Sequence, residues 1–97
     1  MNDEELKALF DQMAPGYDKQ WERTAPITRC LYFLLESVFA DLPADARILC
    51  VGAGTGSEIL HLADRFPGWR FTAVEPAAAM LDVCRRRAGE AGIAERC

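Results

Sequence analysis

The sequence predicts an α/β fold: a partial Rossmann-like unit, belonging to a doubly wound parallel sheet, preceded by two N-terminal helices. Apolar residues in the N-terminal half recur at helical spacing. The C-terminal half alternates short apolar runs with longer amphipathic segments, in the order strand, helix, strand, helix, and a glycine cluster follows the first run. We therefore divide the chain into an N-terminal helical segment, residues 1–44, and an incomplete Rossmann-like domain, residues 45–97.

Two helices are predicted in the N-terminal segment. The first has one apolar stripe and Asp3 as a candidate N-cap, and Ala14–Gly16 ends it. A turn through Gly16–Asp18 and a polar stretch over Lys19–Arg23 follow, and Pro26 then lies in the first turn of the second helix, where a missing N–H costs nothing. Apolar residues keep the helical period through this second helix, so we expect it to be packed along most of its length; they are Ile27, Leu31, Leu34, Leu35 and Val38.

The Rossmann-like half consists of two strands and two helices. Ile48–Val51 is an unbroken apolar run, which is typical of a strand buried on both faces of a parallel sheet. A helix follows over about residues 57–66, then a second strand at Arg70–Val74. The last helix runs from about Ala78 to Glu90, and Gly92 stands where a C-terminal glycine cap belongs. The crossover between the two parallel strands should be right-handed.

Composition restricts the possible functions. The chain has 97 residues, of which 51% are hydrophobic and 27% charged, as in globular domains. With a net charge of −4, the chain does not have the excess of basic residues that proteins use to bind nucleic acids or anionic membranes. We therefore expect neither a nucleic acid nor a membrane as a partner. The longest apolar run, Cys30–Leu35, is about a third of the ~20 residues of a membrane span. With no secretory leader at the acidic N-terminus, the expected location is cytoplasmic.

The cysteines and the single histidine predict no metal site. There is no C-x-x-C pair, and His61 alone cannot complete a zinc set. A secreted scaffold with two disulfides is one alternative; the favoured prediction is small buried cysteines in a reducing compartment, with Cys97 exposed. The four cysteines are Cys30, Cys50, Cys84 and Cys97.

The chemistry is concentrated in Gly52–Gly56, called here the glycine loop, and in Glu75. Glycines between a strand and a helix let the chain turn with positive φ and let a ligand approach the backbone. The N-terminus of the following helix favours a carboxylate or phosphate. Glu75 ends the second strand at the same edge of the sheet, where a carboxylate can accept two hydrogen bonds from a ribose diol, worth about 1.5–3 kcal/mol. Together these features predict a nucleoside-containing ligand.

The spacing of the glycines distinguishes the ligand classes. A dinucleotide-binding loop needs glycine or alanine where this chain has Ser57, and the Gly-Lys-Ser/Thr of a Walker loop is absent. The G-x-G-x-G of the glycine loop resembles motif I of the class I S-adenosylmethionine-dependent methyltransferases. Phe10-Asp11 and Tyr17-Asp18 are similar to the FD…YD segment that precedes motif I in many of these enzymes, and residues 75–81, EPAAAML, resemble their acidic motif. A nicotinamide- or flavin-binding Rossmann protein is the less favoured alternative.

The resemblance covers about residues 10–97 and implies a site for S-adenosyl-L-methionine. It implies that the glycine loop lines the methionine part of this cofactor, that Glu75 binds the ribose, that Pro76 and Met80 flank the adenine, and that Tyr17 closes over the methionine carboxylate. The loop residues concerned are Gly52, Ala53, Gly54 and Gly56. Three alternatives stay open: Met80 as a core residue, Tyr17 as a packing anchor, and Glu75 as a solvated strand end.

The implied reaction is methyl transfer to an O, N, S or C atom of a small-molecule acceptor, with the N-terminal helices as a lid. No catalytic residue is assigned. His61 lies on the polar side of its helix, and Arg85–Arg87 are predicted to form a solvated helix face, because consecutive helical positions diverge by about 100°.

Complete domains of this family have more strands than the two predicted here. The third strand would begin around Ile93, and a pair of parallel strands alone is not independently stable. We therefore expect the exposed edge of the first strand to be covered, either by a C-terminal half of a longer chain or by a second copy in a homo-oligomer. A non-catalytic methyltransferase-like module that needs a partner chain is the remaining alternative.

Overall fold

The structure is a computed structural model and describes residues 2–97. Within that range it has five α-helices and two strands, joined in part by short 3₁₀ turns. In chain order they are α1 (Asp3–Met13), α2 (Tyr17–Gln20), α3 (Ala25–Phe39), β1 (Arg47–Val51), α4 (Ser57–Arg65), β2 (Arg70–Val74) and α5 (Ala78–Glu90). The predicted α/β class and the strand–helix–strand–helix order are confirmed. None of the helices in residues 2–97 has the length and apolar character needed to cross a membrane.

The N-terminal segment is more helical than predicted. Asn2, and not Asp3, caps α1: its extended backbone lets the Asn2 Oδ1 accept the Glu5 N–H at 2.7 Å. The expected turn and polar stretch are instead 3₁₀ turns flanking the four-residue helix α2. Gly16 does not reverse the chain there, because its φ of −115° lies outside the left-handed region that ends helices.

Helix α3 departs most from the prediction. Pro26 lies in its first turn as expected, but none of its side chains is fully buried. The helix packs on α4 with one face only, whereas its apolar residues cover a wider arc than one neighbour can bury. Val38 is 72% exposed, and the expected packing along most of the helix is therefore wrong for Ile27, Leu31, Leu34 and Val38.

The sheet consists of β1 and β2 in parallel, with Ile48 opposite Phe71 and Val51 opposite Val74. The side of β1 that carries Ile48 packs against the helices, whereas Val51 on the other side is 76% exposed. The expectation that β1 is buried on both faces is therefore wrong. The apolar run of β1 would allow packing on both faces of the sheet, but the helices cover only one face.

The main core lies between the covered face of the sheet and helices α4 and α5. It is formed by Ile59, Leu62, Ala63, Trp69, Phe71, Ala88 and Ile93. The Trp69 ring stacks on Phe66 at 3.9 Å, and its Nε1–H donates to the Pro43 carbonyl at 3.0 Å. A smaller cluster of Ala14, Ala77 and Met80 joins the N-terminal segment to α5.

Gly92 ends α5 as predicted, with a φ of +75°. The next amide, that of Ile93, donates to the Ala88 carbonyl at 2.9 Å, so the helix closes in a Schellman motif and Ile93 enters the core. The third strand expected near Ile93 is not formed: Ala94–Arg96 is a 3₁₀ turn. The Arg96 guanidinium instead donates to carbonyls at the C-terminal end of α4, including that of Ala63 at 3.2 Å.

The four cysteines are free. Cys97 is exposed as predicted, and Cys84 is buried. The prediction is wrong for Cys30, which is also exposed, because it lies on the uncovered side of α3.

Candidate functional site

The glycine loop is fastened to the end of the neighbouring strand. The amides of Gly52 and Ala53 both donate to the Val74 carbonyl, at 2.8 and 3.1 Å. The three loop glycines, Gly52, Gly54 and Gly56, have positive φ angles of 73°, 57° and 85°. The carboxyl ends of β1 and β2 therefore form one rim of the sheet, as the sequence predicts.

Glu75 is held on this rim by backbone amides. Its Oε1 accepts the Gly54 N–H and its Oε2 accepts the Ala77 N–H, each at 2.8 Å. A carboxylate has about four lone-pair sites, so about two remain for further donors. Glu75 thus lies against the glycine loop and is not a side chain extended into solvent.

The second and third glycines of the motif, Gly54 and Gly56, have different surroundings. A Cβ built on Gly54 would meet no atom within 4 Å, so this part of the loop is open to a ligand. A Cβ on Gly56 would lie 2.6 Å from the Cys84 Sγ, so Gly56 allows the loop to pack closely on α5.

A first cavity, the Glu75 cavity, has a volume of about 650 Å³ and lies between the rim and α1. Six of the eight predicted cofactor-binding residues line it: Tyr17, Gly52, Gly54, Glu75, Pro76 and Met80. Met80 is only 1% exposed and packs with Ala14 and Ala77, so it is both a core residue and part of the cavity wall. The contacts of these residues with a cofactor stay a prediction.

A second cavity, the Tyr32 cavity, has a volume of about 520 Å³ and lies between the glycine loop and helices α2 and α3. Tyr17, Gly52 and Gly54 line both cavities and so form their common boundary, while Ala53 lines only the second. Gly56 lines neither of them. Burial, and next the charge of Glu58, raises the pKa of Tyr32, so its phenol is neutral at physiological pH.

A polar cluster beside the Tyr32 cavity was not predicted from the sequence. The Arg87 side chain is 28% exposed and its Nη1 lies 3.1 Å from the Thr55 carbonyl oxygen and 3.2 Å from the Asp18 Oδ2. The Arg85 and Arg86 side chains are exposed, so the predicted solvated face is wrong only for Arg87. One signal was available: Arg87 lies three positions after Cys84, which places both on the packed side of α5.

Asp11 is a second residue that sequence reasoning left without a role. Its Oδ1 accepts the Ala79 N–H at 3.0 Å, in the first turn of α5. The N-cap of α5 is Ala77, which offers no side-chain acceptor, so Asp11 supplies the missing cap from another helix. The alanine-rich start of α5 was the available signal.

His61 connects α3 to α4 and lines neither cavity. Its Nε2 lies 2.8 Å from the Glu36 Oε1, and its ring lies 4.9 Å from the Tyr32 ring. Within residues 2–97, no cluster of histidine, cysteine and carboxylate side chains could hold a metal ion.

A parallel strand pair, a glycine loop opening a helix and an acidic residue after the second strand define a partial Rossmann-like unit. The family described as "Methyltransferase domain" matches residues 48–97. The chain belongs to the class I S-adenosylmethionine-dependent methyltransferase family, as the sequence motifs predicted.

Two similar proteins are described as malonyl-[acyl-carrier protein] O-methyltransferases. The one from Geobacter sulfurreducens is 37% identical over 84 residues, 87% of this chain and 30% of that protein. The one from Acetivibrio thermocellus is 32% identical over 94 residues, 95% of this chain and 31% of that protein. A release factor glutamine methyltransferase from Chlorobaculum tepidum is 47% identical over 57 residues, 59% of this chain and 18% of that protein. The chain thus spans less than a third of each relative, and no solved structure matches it.

Proposed function

We propose that this chain binds S-adenosylmethionine in the Glu75 cavity and takes part in methyl transfer to a carboxylate oxygen. One observation carries the cofactor assignment: Glu75 accepts the Gly54 N–H at 2.8 Å beside a cavity of about 650 Å³. The remaining acceptor sites of Glu75 match the two hydroxyl donors of a ribose. A nucleoside-bearing ligand therefore fits the charge and the hydrogen-bonding capacity of this rim.

The glycine loop suits the other end of the same ligand. A Cβ on Gly52 or Gly54 would meet no atom within 4 Å, so a ligand can approach the backbone of the loop there. The N-terminus of α4, which begins at Ser57, favours a negatively charged group such as a carboxylate. Ser57 also occupies the position where a dinucleotide-binding loop needs glycine or alanine, which disfavours the nicotinamide and flavin alternative.

When bound, S-adenosylmethionine supplies an electrophilic methyl group on a sulfonium sulfur. The chain's own residues act by position: Tyr17 forms the boundary between the two cavities, and the Tyr32 cavity offers room for an acceptor. In-line placement and exclusion of water can be sufficient for such a transfer. An acceptor carboxylate, with an ordinary pKa near 4, is already ionised at neutral pH and needs no general base.

The acceptor proposal rests on Arg29 and on the two relatives. Arg29 lines the Tyr32 cavity with the neutral Tyr32 phenol, and no ion pair within residues 2–97 includes Arg29. These two side chains can hold a carboxylate through charge-assisted hydrogen bonds. Both malonyl-[acyl-carrier protein] O-methyltransferases are matched over lengths that include α3, which carries Arg29. A carrier-bound acyl carboxylate is thus our proposed acceptor, and a free small molecule is the alternative.

Calorimetric titration of the chain with S-adenosylhomocysteine tests the cofactor site. We expect binding by the unmodified chain and a loss of about 10- to 100-fold in affinity for Glu75→Gln, because a charge-assisted pair of ribose bonds is lost. Glu90→Gln is the matched control, since Glu90 is an exposed α5 carboxylate paired with Arg86 at 3.9 Å. Unchanged affinity in Glu75→Gln contradicts the proposed site. Tighter binding of NAD supports the dinucleotide alternative, and binding of neither ligand supports a non-catalytic module.

A second titration tests the acceptor. With S-adenosylhomocysteine present, we expect malonyl-pantetheine to bind more tightly than its methyl ester, because only the former presents a carboxylate. Arg29→Gln should abolish this difference, whereas Arg23→Gln, at an exposed position outside both cavities, should preserve it. Equal affinity of the unmodified chain for acid and ester would contradict a carboxylate acceptor, and preference for free malonate would favour the small-molecule alternative.

A further inference from the structure

Two aspartates of the N-terminal segment, Asp11 and Asp18, bind different parts of the Rossmann-like half. Asp11 accepts the Ala79 N–H at the start of α5 at 3.0 Å. Asp18 lies beside the glycine loop: its Oδ1 accepts the Thr55 hydroxyl at 2.7 Å, and its Oδ2 lies 3.2 Å from the Arg87 Nη1. Asp11 thus joins α1 to α5, whereas Asp18 joins the N-terminal segment to the glycine loop.

Asp18 is one of several groups that can accept a hydrogen bond from Arg87. Within 3.0 to 3.2 Å, the Arg87 Nη1 faces four oxygens: the Thr55 carbonyl and hydroxyl, the Ser57 hydroxyl and the Asp18 carboxylate. This nitrogen carries two hydrogens, so it cannot satisfy four acceptors at once. If Asp18 moves away, Arg87 keeps its other partners. If the Asp18 contact is released, the Arg87 Nη1 therefore keeps hydrogen-bond acceptors but loses the one carboxylate among these four partners.

Asp18 follows Tyr17, the side chain that separates the Glu75 cavity from the Tyr32 cavity. Tyr17 lies in the four-residue helix α2 and packs with Trp21 at a ring distance of 6.1 Å and with the Ala14–Met80 cluster. So short a helix has little stability of its own. The position of Tyr17 therefore depends on the bonds that its neighbour Asp18 makes with Thr55 and Arg87.

We propose that Asp18 is a positioning residue: through Thr55 and Arg87 it holds Tyr17 at the boundary between the two cavities, and it acts on cofactor binding only through Tyr17. This inference rests on the proposed function, since the cofactor is assigned to the Glu75 cavity. It predicts that substitutions of Asp18 weaken cofactor binding even though Asp18 lines the Tyr32 cavity and not the Glu75 cavity.

A double-mutant cycle on the affinity for S-adenosylhomocysteine tests this proposal. We expect Asp18→Asn and Tyr17→Ala each to lower the affinity about tenfold, and the double variant to bind no more weakly than Tyr17→Ala alone. A residue with a separate structural role would give additive losses. Asp82→Asn is the control, because Asp82 forms an exposed pair with Arg85 at 3.6 Å on the same helix as Arg87.

The outcomes separate this inference from the proposed function. If the unmodified chain does not bind S-adenosylhomocysteine, the proposed function fails. If it binds, and Asp18→Asn has no effect or its effect adds to that of Tyr17→Ala, the positioning role is refuted. If Asp18→Asn lowers the urea midpoint strongly, its effect on affinity could come from loss of stability. In that case Arg87→Lys, which keeps the positive charge, replaces Asp18→Asn in the same double-mutant cycle with Tyr17→Ala. Additive losses for Arg87→Lys and Tyr17→Ala refute the role in the same way.

Discussion

Gly56 allows a quantitative test of how the glycine loop packs on α5. Its φ of +85° is one that an L-residue adopts at a cost of roughly 1–2 kcal/mol. An added Cβ would also lie 2.6 Å from the Cys84 Sγ, and overpacking of this kind costs about 1–3 kcal/mol more. We therefore expect Gly56→Ala to lower the free energy of unfolding by about 2–5 kcal/mol.

Gly92→Ala is the matched control for backbone strain. Gly92 has a similar φ of +75°, and a Cβ there would meet nothing within 4 Å, so only the cost of roughly 1–2 kcal/mol remains. Urea unfolding followed by circular dichroism gives both values. In a Cys84→Ala background the Sγ is absent, and the cost of Gly56→Ala should fall to that of Gly92→Ala. Equal losses at the two glycines, or no relief in the Cys84→Ala background, would refute the steric argument.

Three further predictions concern packing and reactivity. Burial raises the pKa of Cys84, so less of its thiolate forms at pH 8. Iodoacetamide should therefore label the exposed Cys30 before Cys84, as measured by mass spectrometry, and equal labelling rates would contradict the burial of Cys84. Trp69→Phe should destabilise the fold by about 2–4 kcal/mol in urea unfolding, because a ring that is 1% exposed becomes smaller and its Nε1–H bond to the Pro43 carbonyl is lost; a loss below about 1 kcal/mol would contradict this. Val38→Ser should change the stability by less than about 0.5 kcal/mol, because Val38 is exposed; a larger loss would show that α3 is covered.

The elements that the sequence predicted best are bounded by strong local signals. The strand Arg70–Val74 and the helix Ala78–Glu90 have the predicted bounds, because glycine and proline punctuate the chain beside them and Gly92 closes the helix. The packing of α3 could not be predicted in the same way. Periodicity shows which residues share a face, but not whether a neighbour exists to cover them, and Val38 is exposed for that reason.

The contacts of the candidate site also differ in whether the sequence could predict them. The meeting of Glu75 and the glycine loop follows from a rule about sequence order, since consecutive parallel strands end at one edge of a sheet. The contact of Asp18 with Arg87 follows from no such rule. The position of Arg87 three residues after Cys84 indicates which of the three arginines faces inwards, but the partners of Arg87 depend on the packing of α5 against the glycine loop.

The two sides of the site also differ in what holds them. Glu75 is fixed by two backbone amides, one of them in a loop that is itself bonded to the end of β2, so its position is set by the sheet before any ligand arrives. Ordering a free side chain on binding costs about 0.5–1.5 kcal/mol, and a side chain held in this way avoids that cost. Asp18 is held by side chains alone, and its carboxylate is 46% exposed. For the proposed cofactor, recognition of the nucleoside would therefore rely on a rigid acceptor, and adjustment to the rest of the ligand would fall to the short helix that carries Tyr17 and Asp18.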